Sequence, residues 1–325
     1  MDQIIIYIFI MCFLIFIMIF FLTNCKNRLN FLVPNVEKIM IYKTKNKDNI
    51  FNISFVKYND DIKFLARREI KRGFSNIIAG DVSDLKNISS IKWKDVNFPL
   101  KNAIYEDPRI FIINNRIFSI QTVVKLDNSH LLKKFSNHNN LIIFYKSLKI
   151  SIAELDVNFN VVNFKYFNDF PNTQKNWTLF ENNGKSYVIT DFLPFTFYQI
   201  NLDTFEFYDK KMIHHSINYD KKKFRCCRVF DCRNNILKVL CHLTLRNKEY
   251  AFQFFEINLE NEKIESISKI FSLKNIDDNI ENTLSNQNFT KITYPHHINY
   301  VDNELILSVS KDDRFSIFYK ILEKF

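Results

Sequence analysis

The string Tyr105-Glu106-Asp107-Pro108-Arg109-Ile110-Phe111 places two carboxylates, a proline and an arginine in immediate succession. Proline fixes the backbone, so the string predicts a rigid turn at the start of a strand that aims one acid into a pocket for proton transfer. Arg109, through its planar fork, would hold a neighbouring carboxylate or an anionic ligand. The same residues also suit a plain surface turn whose aspartate caps backbone amides. A second string, Lys175-Asn176-Trp177-Thr178-Leu179-Phe180, sets a cation, an amide and an indole side by side. Polar groups for hydroxyls beside an aromatic face for the C–H surface of a ring make a sugar site; Trp177 equally suits a packed core.

Cys226, Cys227, Cys232 and Cys241 fall close together, with His242 adjoining and His214-His215 upstream. The spacing argues against zinc, because structural sites take cysteine pairs two to four residues apart and adjacent cysteines on a strand point to opposite faces. Buried thiols, or a disulfide if the domain is translocated, account for them, and no metal is expected. His214-His215 and His296-His297 are expected as surface or core residues.

These residues must be positioned by a chain of 325 residues, 47% hydrophobic and 25% charged, which is the composition of a packed globular protein. Only three glycines occur, so neither a dinucleotide fingerprint nor a Walker loop can be built. The net charge of +10 comes from scattered lysines, and Lys221-Lys222-Lys223-Phe224-Arg225 is the one compact basic run. A solvated basic surface is expected, with no nucleic-acid partner.

Residues Ile4 to Leu22 form an uncharged apolar run, close to the ~20 residues that span a bilayer as a helix. No basic leader precedes it and no small-residue cleavage site follows, so residues 1–30 are expected as an uncleaved N-terminal transmembrane anchor and flank rather than a signal peptide. Lys26, Arg28 and Lys38 would keep the remainder cytoplasmic, whereas Asn-x-Ser/Thr triplets at Asn52, Asn87, Asn176 and Asn288 would suit a translocated domain. The side of the membrane stays open.

Residues 31–325 show short runs of Ile, Val, Phe and Tyr broken by asparagine or aspartate pairs, the pattern of an all-β domain. Hairpin-like punctuation falls at Asn59-Asp60, Asn114-Asn115, Asn182-Asn183-Gly184, Asn234-Asn235 and Asp302-Asn303. Asn and Asp tolerate left-handed backbone and can replace glycine there. The spacing averages about sixty residues, room for a four-stranded blade with generous loops, so five blades of a β-propeller are expected. A pair of β-sandwiches is the alternative. In a propeller the innermost strands line a funnel, and functional residues come from several blades.

In this order the motifs resemble glycoside hydrolase family 130, five-bladed propeller mannoside phosphorylases, and the related glycosyltransferase family 108 of β-1,2-mannosyltransferases and phosphorylases. The resemblance rests on Glu106-Asp107-Pro108-Arg109 in the second blade, on Lys175-Asn176-Trp177 with Phe180 in the third, and on His242 after Val239-Leu240-Cys241 in the fourth. Tyr250 to Phe255, Ile280-Glu281, and Ser308 to Asp313 with Ser316-Ile317-Phe318 extend it to the last blade. It covers about residues 100 to 322, and the first two motifs are its specific part.

The resemblance implies that Asp107 is a single general acid working through a substrate hydroxyl while phosphate attacks the anomeric carbon with inversion. One acid suffices when the nucleophile is already an anion. Glu106 and Arg109 would shape the turn, Arg109, Lys175 and His242 would hold phosphate or a sugar phosphate, and Asn176, Trp177, Tyr250, Glu281 and Asp313 would line the funnel. Inorganic phosphate or a sugar phosphate is then a co-substrate, a carbohydrate is the partner, and no cofactor is implied. Two departures bear on activity: Cys226-Cys227-Arg228 stands where a glycine-rich turn is usual, and Ser310 where glycine is common. An inactive propeller that binds a glycan or a protein is the alternative; a hydrolase would need Glu281 or Asp313 as a second carboxylate.

Overall fold

The computed structural model describes residues 35–42, 49–71, 74–125, 148–170, 175–214, 224–244, 250–272, 293–311 and 315–322. The chain divides into two compact units, Met1–Leu32 and Val33–Phe325, and the described residues all belong to the second. Among them no helix is long and apolar enough to cross a membrane; the helix described is a short 3-10 turn, Leu85–Ser90. The single-pass anchor expected over residues 4–22 therefore has no support: that span lies outside the described residues, and no helix among the described ones could cross a membrane.

The second unit is an all-β, five-bladed propeller. The first strand, β1 (Val36–Tyr42), is set aside by the chain and used last. Blade I is β2 (Asn49–Tyr58), β3 (Asp61–Lys71), β4 (Phe74–Val82) and β5 (Lys94–Asp95). Blade II is β6 (Ala103–Ile113), β7 (Arg116–Lys125), β8 (Lys149–Leu155) and β9 (Val161–Phe167). Blade III is β10 (Thr178–Asn182), β11 (Lys185–Phe192), β12 (Phe195–Asn201) and β13 (Glu206–Ile213). Blade IV is β14 (Phe224–Arg233), β15 (Ile236–Thr244), β16 (Tyr250–Asn258) and β17 (Lys263–Ile267), with the short β18 (Phe271–Ser272) also paired to β16. Blade V is β19 (Thr293–Val301), β20 (Glu304–Lys311) and β21 (Phe315–Ile321), completed by β1, which pairs antiparallel with β21. Closing the last blade with the first strand ties the ends of the ring together and covers an edge that would otherwise be open.

Each blade begins with a two-residue hairpin at the predicted punctuation. Tyr58 pairs Asp61, Ile113 pairs Arg116, Asn182 pairs Lys185, Arg233 pairs Ile236 and Val301 pairs Glu304. Asn114 and Asn115, Asn183 and Gly184, Asn234 and Asn235, and Asp302 and Asn303 all have positive φ, as does Asn59. Both central residues of a twist-matched turn need that backbone, and asparagine reaches it with least penalty after glycine. A chain with three glycines therefore folds a β-propeller on asparagine turns.

Burial falls from the axis outward. β2 is buried along most of its length, whereas the outermost β13 and β17 are largely exposed. Among the described residues the core forms five large layers between neighbouring sheets, uniting in turn blades I and II, II and III, III and IV, IV and V, and V and I, with a small further cluster of Ile104, Val124 and Leu148. In blade I, a Cβ on Gly80 would stand 2.3 Å from Ile91 Cγ2 and 3.3 Å from the Lys92 carbonyl oxygen. Gly80→Ala is expected to lower stability by about 1–3 kcal/mol through overpacking, read as a lower urea midpoint with unchanged slope.

Candidate active site

Four of the five innermost strands break ladder register about one third of the way along. The shifts fall between Phe51 and Ser54, Glu106 and Arg109, Cys226 and Arg228, and Pro295 and His297. In blade III the equivalent residue, Asn176, precedes β10 with φ +66°. Asn52 and Asp107 are also left-handed, at +52° and +51°. A bulge re-aims a side chain, and at these levels it aims polar groups toward the common axis. Glu106-Asp107-Pro108-Arg109 is therefore a bulge inside β6, not a turn before it. Pro108 is accommodated because a bulge relieves it of a ladder hydrogen bond.

Asp107 is the meeting point. Asn52 Nδ2 donates to its Oδ1 at 2.5 Å, Arg67 Nη1 lies 3.5 Å from the same oxygen, and Lys175 Nζ lies 3.6 Å from Oδ2. Glu106 shares both cations, accepting from Arg67 Nη2 at 2.8 Å and facing Lys175 Nζ at 3.8 Å. Asn52 is held in turn, its backbone N–H donating to Ser310 Oγ at 2.8 Å. Burial pushes the Asp107 carboxyl up, but Lys175, Arg67, His296 and the Asn52 hydrogen bond outweigh it and hold the group well below the usual carboxylate range. Asp107 is thus held as an anion.

A second group lies beside it. Arg109, 1% exposed, donates through Nη2 to Asn176 Oδ1 at 2.7 Å, and the Tyr294 hydroxyl donates to the same oxygen at 3.3 Å. His242 meets the Tyr294 ring edge-on at 4.9 Å and Tyr250 at 5.7 Å. His296 Nε2 lies 2.9 Å from the Pro108 carbonyl oxygen, which can only accept, so the ring proton sits on Nε2. Its Nδ1 is buried with no hydrogen-bond partner among the described residues. His297 donates from Nε2 to Phe55 O at 2.8 Å and accepts at Nδ1 from Ser54 Oγ, which itself accepts the Ile110 N–H at 2.9 Å. His297 is thus a core residue that ties blades V, I and II.

Of the residues expected at the funnel, Glu106, Asp107, Arg109, Lys175, Asn176, His242 and Tyr250 come together from blades II, III and IV. Glu281 and Asp313 lie outside the described residues. Trp177 does not face the funnel: it is fully buried between blades II and III against Phe170 at 4.8 Å, Phe167 at 5.3 Å and Phe207 at 5.6 Å. Sequence reasoning missed Asn52, Arg67, Tyr294 and His296. A signal existed for Asn52. Asn52-Ile53-Ser54 and Asn176-Trp177-Thr178 read as glycan acceptors, yet both asparagines are engaged inside the site. Ser54 and Thr178 each accept a backbone N–H from the next blade, from Ile110 at 2.9 Å and from Val229 at 3.4 Å.

Cys226-Cys227-Arg228 lie within β14. Arg228 stacks over Phe111 at 4.1 Å and donates to the Ile110 carbonyl at 2.6 Å, near the axis. Beyond it, towards the hairpin turns, the same five strands form an open pocket of about 340 Å³ lined by Val56, Phe111 and Leu179 together with Glu181, Arg228 and Asp231. Cys241 is a core residue between blades III and IV, and among the described residues no group of His, Cys, Asp and Glu is arranged to hold a metal ion.

The three buried histidines make stability depend on pH. Burial, then the nearby Arg109, lowers His296 to about 4; burial likewise puts His242 and His297 well below their ordinary value. The unfolded chain takes up these protons near pH ~6.5, so stability is full above that value and falls as pH drops toward 4, by at most ~1.4 kcal/mol per unit for each histidine. Asp107, lowered in the folded state, adds a further loss only below pH ~4. Urea midpoints should hold between about pH 7.5 and 6.5 and then decline to about pH 4.5, and a profile flat throughout would contradict the buried neutral rings.

The sequence matches no family model and no curated protein. The fold does have solved counterparts. β-1,2-Mannobiose phosphorylase from Listeria innocua superposes with a TM-score of 0.60 at 13% identity, covering 88% of this chain and 96% of that one. A glycosyl hydrolase from Bacteroides ovatus gives 0.57 at 12% identity over 90% and 91%. An α-L-arabinofuranosidase from Podospora anserina gives 0.53 at 9% identity over 89% and 98%. At these identities the likeness establishes the five-bladed propeller fold.

Proposed function

We propose that the protein is a carbohydrate-active enzyme that phosphorolyses a β-mannosidic bond or transfers mannose from a sugar phosphate. The observation that carries this is the convergence on the propeller axis of one partly accessible acid, Asp107, with Lys175 and Arg67. In the phosphorolytic direction phosphate, held by Lys175 and Arg67, forms a bond to the anomeric carbon from one face. The glycosidic bond breaks on the other, and the leaving oxygen receives the Asp107 proton through a substrate hydroxyl. Arg109 serves as a support here: it fixes the Asn176 carbonyl, which presents the amide N–H groups to substrate oxygens. The likeness to the mannobiose phosphorylase supports the choice of mannosides.

Incubating the purified protein with mannose 1-phosphate and a panel of sugar acceptors should release phosphate and form a mannoside. No release with any acceptor, together with no mannose 1-phosphate from β-1,2-mannobiose and phosphate, would reject the proposal. A second reading, a propeller that binds glycan without chemistry, draws on one observation, the pairing of Asp107 with Arg67 and Lys175. Under it, sugars bind and neither reaction proceeds.

A further inference from the structure

The two carboxylates at the axis are held unequally. Arg67 Nη2 reaches Glu106 Oε1 at 2.8 Å, a short charged hydrogen bond, and the Glu106 side chain is 6% exposed. Asp107 is 17% exposed and Arg67 Nη1 stands farther from it, at 3.5 Å, while Lys175 Nζ is nearly equidistant, 3.6 Å from Asp107 and 3.8 Å from Glu106. Glu106 is therefore the fixed counter-ion and Asp107 the displaceable one. An oxyanion approaching Lys175 and Arg67 competes with Asp107, because Asp107 lacks the short guanidinium bond that holds Glu106 and is the more accessible of the two carboxylates.

The consequences for Asp107 follow from its surroundings. Among the described residues, the charged and titratable groups around it are Glu106 and Arg109 from β6, Arg67 from β3, Lys175 ahead of β10, His242 from β15 and His296 from β19. Arg109 is already bonded to Asn176 at 2.7 Å. An anion seated on Lys175 and Arg67 removes the two nearest positive charges from Asp107 and adds a negative one. Both changes favour a protonated carboxyl. Asn52 Nδ2 donates to Oδ1 at 2.5 Å, so Oδ1 stays an acceptor and the proton goes to Oδ2, the oxygen that Lys175 faces.

We propose that this site takes up an oxyanion and a proton together: the anion replaces Asp107 on Lys175 and Arg67, and Asp107 Oδ2 accepts a proton from solvent. The inference rests on the oxyanion site of the proposed function and adds an order to it. Without the anion Asp107 is ionised and cannot act as an acid; with the anion it is armed. A bound glycoside then waits for phosphate instead of being cleaved by water.

Sulfate is the probe, because it keeps one charge state across the working range. Calorimetric titration of the full chain at about pH 5.5, in two buffers of unlike ionisation enthalpy, should show net proton uptake with sulfate. Wild-type affinity should fall as pH rises, by up to about tenfold per unit. Asp107→Asn should show no uptake and a flat pH dependence, and should bind sulfate at least about tenfold more tightly near pH 7.5, its competing carboxylate being gone. Its melting curve checks that it is folded, and Lys175→Met, which removes a cation, should bind sulfate more weakly than wild type.

Sulfate binding to wild type without proton uptake would overturn this inference, and the proposed function would then require the proton to reach Asp107 when the sugar binds. Uptake that persists in Asp107→Asn would place the proton on His296 or His242 and also overturn it. If neither sulfate nor phosphate binds, the oxyanion site itself falls and both readings go with it.

Discussion

Asp107→Asn is expected to lower turnover of a mannoside or of mannose 1-phosphate by roughly 10²- to 10⁴-fold, the range for removing a positioned acid. The substitution keeps the shape of the side chain. An asparagine oxygen can still accept from Asn52 Nδ2, which lies 2.5 Å from Asp107 Oδ1 in the native protein. Lys175 and Arg67 keep Glu106 as counter-ion, so the fold should persist. The loss should therefore appear in kcat while the protein still melts cooperatively. An Asp107→Asn protein with full turnover would remove Asp107 from the chemistry whatever the rest of the site does.

Trp177→Ala should cost about 3–5 kcal/mol of stability, as for other large aromatics deleted from a well-packed core. The indole is 0% exposed and touches Phe167, Phe170 and Phe207 in the layer that joins blades II and III. Trp177→Phe keeps most of that surface and should cost much less. Urea denaturation of the two variants separates core from sugar platform. A platform would leave the Trp177→Ala midpoint unchanged and weaken only sugar binding. Asn176 and Trp177, although adjacent, serve different ends: Asn176 has left-handed backbone and meets Arg109, whereas Trp177 points away into the layer between blades.

The architecture was legible because turns without glycine demand specific residues. Each predicted asparagine or aspartate pair is the hairpin between the first two strands of a blade, and counting those pairs counts the blades. The place of Asp107 in the second blade follows the same register. At 52, 107 and 176 a left-handed Asn or Asp stands seven places ahead of the left-handed residues at 59, 114 and 183. Its local geometry was not legible. Proline beside two carboxylates reads as a turn, and only pairing with β7 shows it to be a bulge in a continuous strand.

Other partners leave no mark in sequence at all. Arg67 lies in the second strand of blade I and reaches Glu106 and Asp107 only through the closing of blades I and II. His296 and His297 are neighbours, yet one ring faces Pro108 O beside Asp107 and the other fills a core position between blades. Side chains of adjacent residues on a strand point to opposite sides, so a histidine pair splits between two environments. The Asn-x-Ser/Thr triplets at 52 and 176 likewise have a structural cause, an axial amide followed two residues on by an inter-blade hydroxyl.

The central claim is that residues from separate blades form one ligand site around Asp107. A crystal structure of the protein soaked with β-1,2-mannobiose and sulfate tests it most directly. A pyranose ring with a hydroxyl or the glycosidic oxygen within hydrogen-bond reach of Asp107, and sulfate on Lys175 and Arg67, is the predicted result. Sugar bound elsewhere on the propeller, with the Asp107 ion pairs intact and the axis occupied by water alone, would contradict it.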